Sequence, residues 1–144
     1  MRFYRRVVCG IGGIRSLRNG APIPHGVLDV LSAGIAWRGP HGSGRHQTPA
    51  SAAAGPAQAA GLVHRRLSVI DHAGGAQPMT VEAVGRRVTI AFNGCVYNHK
   101  ELREHAAARG VAFRSDHADS EALAATLLLD GTEGLNRVEG LFAL

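Results

Sequence analysis

Apolar and polar residues along the chain form short stretches that predict five strands. The segment VVCGIGGI, residues 7–14, predicts a short strand running into glycines, and GLVHRRLSVID, residues 61–71, predicts a strand with a polar interruption. GRRVTIAFNG, residues 85–94, alternates well enough to predict a strand that ends at an Asn-Gly turn. Two shorter strands are predicted from VAFRSD, residues 111–116, and VEGLFAL, residues 138–144.

Three other segments carry apolar side chains at helical spacing. The first, VLDVLSAGIA, predicts a helix over residues 27–36. The second, NHKELREHAAARG, has Asn98 as its predicted N-cap, Glu101 three residues on as in a capping box, and Gly110 at its end. The third, DSEALAATLLLDG, predicts a helix that ends at Gly131.

The remaining stretches predict turns and loops. RGPHGSG, residues 38–44, is too rich in turn residues for regular structure, residues 49–60 predict a surface loop or low-complexity insertion, and residues 73–79 predict a further loop. Strands predominate early, helices come later, and a glycine turn joins them. This order predicts an α+β fold with a largely antiparallel sheet. The apolar strand at the end of the chain predicts a domain truncated at its C-terminus.

Length and composition limit the classes of protein that need to be considered. The chain has 144 residues, which corresponds to one domain or part of one, and its apolar content of 45% is ordinary for a soluble protein. No apolar run is long enough to span a bilayer, and the basic start MRFYRRVV lacks the apolar segment of a signal peptide. We therefore expect a cytoplasmic protein with no membrane partner.

Cysteine usage and charge narrow the picture further. Two cysteines, Cys9 and Cys95, without an export signal predict free thiols, and the eight histidines lack metal-ligand spacing, so we expect no metal. The net charge of +5 is compatible with nucleic-acid binding, but only 5% of the residues are aromatic and no recognition motif is present. We expect no nucleic-acid partner, and a basic nucleic-acid-binding protein is the alternative outside the enzymes.

Five segments that occur in order carry a family resemblance. They are CGIGGI, RGPHGSG, HRRLSVID with GGAQPM, AFNGCVYNHKELR, and ADSEALAATLLLDG with GLFAL. From Cys9 to Leu144 the chain resembles the class II glutamine amidotransferase domain of glutamine-dependent asparagine synthetases. The segments agree in order and roughly in spacing, which makes chance agreement remote.

The resemblance implies an N-terminal-nucleophile hydrolase fold, an αββα sandwich in which helical layers enclose antiparallel sheets. It implies glutamine as the substrate, hydrolysed to glutamate and ammonia, and a synthetase domain or subunit as the partner that uses the ammonia. Residues 1–8 would be a leader or a misassigned start, and residues 9–144 an incomplete glutamine amidotransferase type-2 domain. We expect no cofactor in this chain, since ATP and Mg²⁺ would belong to a separate synthetase domain.

The resemblance makes Cys9 the nucleophile and its own free α-amine the base. An α-amine titrates close to neutral pH, so it can take up the thiol proton and later protonate the leaving ammonia. A peptide nitrogen cannot do this because its lone pair is delocalised. As written, the chain has a peptide bond between Val8 and Cys9. Activity therefore requires cleavage after Val8 or translation that starts at Val8, and the alternative is that Cys9 is a core thiol.

The resemblance assigns further roles position by position. Asn93 and Gly94 match the oxyanion donors, although an Asn-Gly pair is also an ordinary hairpin turn. Arg66 matches the arginine that holds the substrate α-carboxylate, whereas we expect the neighbouring Arg65 to be solvated. Asp119 matches the ligand of the substrate α-ammonium group, and the alternative is a helix N-cap.

Two more positions support the nucleophile, and Cys95 is a departure from the family pattern at the substrate site. Arg38 and Gly39 match residues that hold the loop beside the nucleophile. Cys95 stands where the family has a glutamate that helps to bind the α-ammonium, and a neutral thiol lacks that charge. Losing one charge-assisted contact weakens binding by roughly ten- to a hundred-fold. Two hypotheses follow: an active glutaminase once Cys9 is exposed, or a catalytically silent remnant or regulatory module with the same fold.

Overall fold

Two compact units make up the chain, an N-terminal unit over residues 1–70 and a C-terminal unit over residues 71–144. The computed structural model describes residues 8–17, 21–48, 59–67 and 76–144. The described elements of the N-terminal unit are β1 (Gly10–Arg15), α1 (Val27–Gly34), β2 (Gly42–Gln47) and β3 (Ala60–Arg66). Those of the C-terminal unit are β4 (Met79–Ala83), β5 (Arg86–Ile90), β6 (Asn93–Val96), α2 (His99–Ala107), α3 (Asp119–Asp130), a 3₁₀ helix (Gly131–Arg137) and β7 (Gly140–Ala143).

Antiparallel pairing organises the N-terminal unit, in which β3 lies between β1 and β2. Val63 on β3 is fully buried, and Leu28 of α1 packs directly onto Gly61 of the same strand. A Cβ atom on Gly61 would lie 2.7 Å from a Leu28 methyl carbon, so the helix can approach the strand only because this position is a glycine. The helix and the sheet therefore share one small core.

The elements of the N-terminal unit agree with the sequence pattern only in part. The predicted helix is confirmed but ends at Gly34 rather than at residue 36. The first predicted strand is formed by the glycines themselves, because β1 begins at Gly10 and pairs with β3 along its length. The expectation of no regular structure over residues 38–44 is confirmed for residues 38–41 but wrong for residues 42–44, because β2 begins at Gly42. Pairing with β3 supplies hydrogen bonds there that local propensity does not foresee.

Two predicted loops fall partly on residues that lie outside the described ones. Of the surface loop predicted over residues 49–60, only the end is described, and there the prediction is wrong because Ala59 is buried and Ala60 begins β3. Of the loop predicted over residues 73–79, residues 76–78 are described and lie outside any helix or strand, as predicted, whereas the last residue, Met79, begins β4. The end of the predicted strand 61–71, from residue 68 onward, is also outside the described residues.

The C-terminal unit has two separate antiparallel pairs, β4 with β5 and β6 with β7, and it packs them with two helices around one core. Helix α3 is buried over most of its length, whereas α2 buries only Leu102 and Ala106, so α3 is the central element of the unit. The buried apolar cluster consists of Val81, Ile90, Phe92, Val96, Leu102, Ala106, Val111, Ala122, Leu123, Ala124, Ala125 and Leu128.

The hairpin turn of the C-terminal unit falls at Val84 and Gly85, which both have positive φ and connect β4 to β5. The sequence pattern does not predict β4. The turn expected at Asn93 and Gly94 is wrong, because both residues lie inside β6 and pair with β7. Asn-Gly, a dipeptide common in turns, lies in a strand here because β7, which is distant in sequence, pairs with it.

Helix α2 lies where the pattern predicts it, but its start is held differently. Asn98 occupies the N-cap position without making a capping hydrogen bond. Its Nδ2 donates to the Arg137 carbonyl oxygen at 2.8 Å and its Oδ1 accepts from the Glu139 amide at 3.0 Å, so the predicted capping box is wrong. Gly110, with a φ of 90°, follows the last turn as predicted.

Residues 111–116 form no strand, so that prediction is wrong. The amides of Arg114 and Ser115, which a neighbouring strand would otherwise bind, donate to the carboxylate of Glu121. The predicted third helix and final strand are confirmed as α3 and β7, and α3 ends before Gly131, whose φ is 63°.

The mixed class of helices with antiparallel sheets is confirmed, since all described strand pairs are antiparallel and each unit contains a helix. The αββα sandwich and the C-terminal truncation stay predictions. Within the described part of the chain, the helices are too short or too polar to cross a membrane.

Candidate functional site

Cys9 lies just before β1, and the backbone of Leu67 holds its sulfur. The Leu67 amide donates to Sγ at 3.4 Å, and the Leu67 carbonyl oxygen lies 3.8 Å from the same sulfur. The cysteine as a whole residue is half-buried.

Arg38 and Gly39 bring the turn after α1 against the backbone of the neighbouring strands. Arg38 Nε donates to the Cys9 carbonyl oxygen at 3.3 Å, and its guanidinium lies 5.3 Å from the centroid of the Trp37 ring. Gly39 is buried, and a Cβ atom on it would lie 2.3 Å from the carbonyl carbon and oxygen of Arg65. Only a glycine can approach β3 so closely. The pair therefore holds the main chain around Cys9.

Arg66 is the last residue of β3, at the same end of the sheet as Cys9, because Gly10 lies opposite Arg65 in the antiparallel pair. The expectation that Arg65 is simply solvated is wrong: it is half-buried and its Nε donates to the Ser32 carbonyl oxygen of α1 at 3.1 Å. The N-terminal unit thus brings together, at one end of its sheet, Cys9, Arg38, Gly39 and Arg66.

One edge of β6 pairs with β7, and the other edge faces the start of α3. The Tyr97 amide donates to the Glu139 carbonyl oxygen of the β7 side at 2.7 Å. In an antiparallel pair only alternate residues exchange hydrogen bonds, so the N–H groups of Gly94 and Val96 point away from β7. The Val96 amide donates instead to Asp119 Oδ2 at 3.0 Å. By the same alternation, the Gly94 amide faces this second edge.

Asp119 is the first residue of α3, and its carboxylate binds two backbone amides. Oδ2 accepts from Val96 and Oδ1 accepts from Ser120 at 2.7 Å. Asp119 is not the N-cap, because that position belongs to Ala118. A carboxylate has about four lone-pair sites, so roughly two remain for a ligand. Asp119 can therefore hold β6 and bind a cation at the same time.

The strand around Gly94 leaves no room for a side chain at that position. A Cβ atom on Gly94 would lie 2.2 Å from the Leu141 carbonyl oxygen, and its φ is 151°. Cys95 is exposed and lies opposite Leu141 of β7, while Asn93 is half-buried. The C-terminal unit thus brings together, along one strand and the helix beside it, Asn93, Gly94, Cys95 and Asp119.

The two groups of candidate residues belong to different units and offer different ligands. The N-terminal unit contributes guanidinium groups, which suit a carboxylate, and the C-terminal unit contributes the Asp119 carboxylate, which suits an ammonium. Among the residues that the structure describes, no group of three or more histidine, cysteine, aspartate or glutamate side chains could hold a metal ion.

Among the described residues, three contacts near the candidate residues were not predicted from the sequence. Leu67 binds the Cys9 sulfur, the carboxylate of Glu121 binds the loop before α3, and Gln77 Oε1 accepts from the Phe92 amide at 2.5 Å, one residue before the candidate oxyanion donors. All three lie in segments that carry the family resemblance. That is the only signal available, because a sequence does not say which backbone group a side chain will reach.

Comparison with known proteins assigns the chain to a family. A family model described as a glutamine amidotransferase domain matches residues 8–144. The chain therefore belongs to the glutamine amidotransferase domain family, and the resemblance to the N-terminal domain of asparagine synthetases is confirmed.

Three curated relatives illustrate the match. Asparagine synthetase [glutamine-hydrolyzing] 1 from Bacillus subtilis is 41% identical over 83 residues, which cover 58% of this chain and 13% of that protein. Asparagine synthetase [glutamine-hydrolyzing] 3 from the same bacterium is 29% identical over 139 residues, which cover 94% of this chain and 20% of that protein. A putative asparagine synthetase [glutamine-hydrolyzing] from Mycobacterium tuberculosis is 36% identical over 147 residues, which cover 94% of this chain and 21% of that protein. The chain spans about a fifth of the latter two relatives and less of the first.

Proposed function

We propose that this chain is a glutaminase domain that hydrolyses glutamine to glutamate and ammonia. The observation that carries the proposal, in a chain of this family, is the edge of β6 that does not pair with β7, where the Gly94 amide and the Asp119 carboxylate face the same side. Gly94 and Val96 are two residues apart on a strand, which corresponds to about 7 Å. An extended glutamine spans a comparable distance between its side-chain carbonyl oxygen and its α-ammonium.

In the proposed reaction, the Cys9 sulfur attacks the side-chain carbonyl carbon of glutamine and its proton passes to the free α-amine of the same residue. The tetrahedral intermediate collapses to a thioester, and the nitrogen leaves as ammonia with that proton. Water, deprotonated by the amine, then cleaves the thioester to glutamate and the thiol. The hydrogen bond from Leu67 keeps the sulfur oriented, and Arg38 fixes the main chain that carries the amine.

The other candidate residues bind the substrate in this scheme. The Gly94 amide and the Asn93 side chain donate to the carbonyl oxygen as negative charge develops on it. Asp119 accepts the α-ammonium at its remaining lone-pair sites, and Arg66 binds the α-carboxylate through its planar guanidinium. Cys95 adds no formal charge where the family has a glutamate, so we expect weaker glutamine binding than in a domain that has both carboxylates.

Fold, partner and compartment are part of the same proposal. We propose an αββα sandwich of the N-terminal-nucleophile type and a synthetase domain or subunit that uses the ammonia and binds ATP and Mg²⁺. Support for the partner comes from the relatives, which are named asparagine synthetases. We propose the cytoplasm as the compartment, since Cys9 and Cys95 are both free thiols and reducing compartments preserve such thiols.

The test compares a chain that begins at Cys9, released by a specific protease, with the same chain carrying Cys9→Ala and with the chain of 144 residues. We expect glutamate and ammonia in equal amounts from the first protein only, because only there is Cys9 both a thiol and an amine. Equal rates from the first protein and its Cys9→Ala variant would refute the proposal.

A catalytically silent remnant or regulatory module with the same fold is the second candidate. The exposed thiol of Cys95, at a position where the family has a glutamate, favours it. Such a module would bind glutamine in a calorimetric titration without releasing glutamate, even when the chain begins at Cys9. Binding together with turnover would exclude it.

A further inference from the structure

A buried polar network lies just before α3 and takes no part in the proposed reaction. Glu121 is 5% exposed, and its carboxylate accepts from the Arg114 amide at 2.7 Å, from the Ser115 amide at 3.1 Å and from the Ser115 hydroxyl at 2.7 Å. Burial by itself raises the pKa of Glu121, but these hydrogen bonds and the cation of Arg103 together hold the pKa below its ordinary value. Glu121 is therefore an ionised carboxylate inside the unit.

Arg103 of α2 binds the same loop from the other side. Its Nη1 donates to the Ser115 carbonyl oxygen at 2.6 Å and its Nη2 donates to the Ala118 carbonyl oxygen at 2.8 Å. Nη1 also lies 3.7 Å from Glu121 Oε2, and the guanidinium lies 4.2 Å from the centroid of the Phe113 ring. The side chains of the ion pair are 14% and 6% exposed, and hydrogen bonds are stronger away from bulk water.

The loop that these two residues hold ends at Asp119, whose carboxylate binds Val96 of β6. Strand β6 leads directly into α2, α2 carries Arg103, and Arg103 with Glu121 holds the start of α3. The connections from β6 to α2, from α2 to α3 and from α3 back to β6 form a closed ring. A shift of the loop must therefore move the Asp119 carboxylate relative to the edge of β6.

We propose that Arg103 and Glu121 are positioning residues that set the direction of the Asp119 carboxylate and thereby the selectivity for a substrate with a free α-ammonium. The proposal rests on the proposed function, in which Asp119 binds that group. Neither residue needs to touch the substrate, because both act through the backbone from Arg114 to Ala118.

The first test follows the Val96 amide in the chain of 144 residues without any ligand, by hydrogen exchange measured with NMR. Glu121→Gln keeps the size of the side chain and removes its charge. We expect Val96 to exchange about ten-fold faster, since its bond to a charged carboxylate weakens. The Tyr97 amide, which bonds to Glu139 in the same strand, reports any general loss of stability and should accelerate less than the Val96 amide.

Two further variants serve as the upper limit and the control for this measurement. Asp119→Ala removes the acceptor of the Val96 amide and sets the upper limit of the effect. Glu101→Gln removes an exposed glutamate from α2 and should leave Val96 unchanged. Equal acceleration of Val96 and Tyr97 in Glu121→Gln would indicate general loosening of the strand and would overturn the proposal, as would no acceleration at all.

The second test measures selectivity by calorimetry, with glutamine and with 4-carbamoylbutanoate, which is glutamine without its α-amino group. In Glu121→Gln and Arg103→Lys we expect glutamine affinity to fall about ten-fold while affinity for the analogue stays within about two-fold. A wild-type ratio of the two affinities in both variants would contradict the positioning role. If Glu121→Gln does not fold, Ser115→Ala serves instead, because it removes one of the three hydrogen bonds to Glu121. It should change the exchange rate of the Val96 amide and the glutamine affinity in the same directions as Glu121→Gln, but by less.

The two tests separate this proposal from the proposed function. Failure of the wild-type chain to bind glutamine would count against the proposed function. The exchange of the Val96 amide needs no substrate, so it decides independently whether Glu121 positions Asp119.

Discussion

The Val96 amide and the Asp119 carboxylate are joined by a hydrogen bond of 3.0 Å, which connects β6 to the first residue of α3. Val96 is fully buried and its amide points away from β7, so this bond satisfies a donor that would otherwise lack a partner in the core. The Gly94 amide faces the same edge of the strand. One contact therefore holds the candidate oxyanion donor and the candidate ammonium ligand in a fixed relation.

Restoring a carboxylate at Cys95 tests whether this exposed position contributes to substrate binding. We expect Cys95→Glu to tighten glutamine binding by roughly ten-fold or more, because a charge-assisted contact to the α-ammonium replaces a neutral thiol. Calorimetry on the chain of 144 residues measures it, with Cys95→Gln as the neutral control of the same size. Equal affinities of the two variants would show that charge at this position has no role.

Gly94→Ala should destabilise the C-terminal unit by about 3 kcal/mol or more, from backbone strain and overpacking together. The new Cβ would lie 2.2 Å from the Leu141 carbonyl oxygen, on a residue whose φ is 151°. The matched control is Gly85→Ala, which has a φ of 72° but open space around it, so only the strain of about 1–2 kcal/mol is expected. Urea unfolding compares the two, and similar losses would mean that β6 and β7 separate to admit the methyl group.

Gln77→Ala should lower the free energy of unfolding by about 1–3 kcal/mol, because it leaves the buried Phe92 amide without its acceptor. Gln77 Oε1 receives that hydrogen bond at 2.5 Å, and Phe92 is 3% exposed. Gln77→Glu keeps an acceptor at the same place and should retain most of the stability. If both variants unfold at the same urea concentration, the hydrogen bond contributes nothing measurable.

The stability of the C-terminal unit should depend on pH through Glu121. The pKa of this carboxyl is lowered in the folded protein, since burial, which raises it, is outweighed by the hydrogen bonds from Arg114 and Ser115. Its contribution is therefore complete above the ordinary glutamate pKa of about 4.3 and is lost as the pH falls through the lower folded-state value. We expect Glu121→Gln to be about 1.5–3 kcal/mol less stable than wild type at pH 7.

The difference between wild type and Glu121→Gln should shrink on acidification, which urea unfolding between neutral pH and pH 3 would measure, since protonated wild type also lacks the charge. Glu101→Gln, on the exposed face of α2, is the control and should follow the wild-type curve. A difference that stays constant over this range would mean that Glu121 stabilises the unit by packing alone.

Local sequence patterns predicted the helices well because their signals act within a few residues. Apolar spacing placed α1, α2 and α3, and the glycines at 110 and 131 ended the last two, as positive φ requires. The prediction of a capping box was wrong because the Asn98 side chain bonds instead to the backbone of Arg137 and Glu139, about forty residues away in sequence. The prediction of a strand at residues 111–116 was wrong because the amides of Arg114 and Ser115 donate to the Glu121 carboxylate rather than to a neighbouring strand.

The sequence by itself determined the family, the helices and the candidate residues, because motifs and periodicity are properties of neighbouring positions. Only the tertiary structure decided that the glycines after Cys9 form β1, that Asn93 and Gly94 belong to a strand, and that Arg103 and Glu121 hold the loop before Asp119. Each of these depends on a partner outside the segment itself that supplies a hydrogen bond or excludes a side chain. Such partners exist only once the chain has folded.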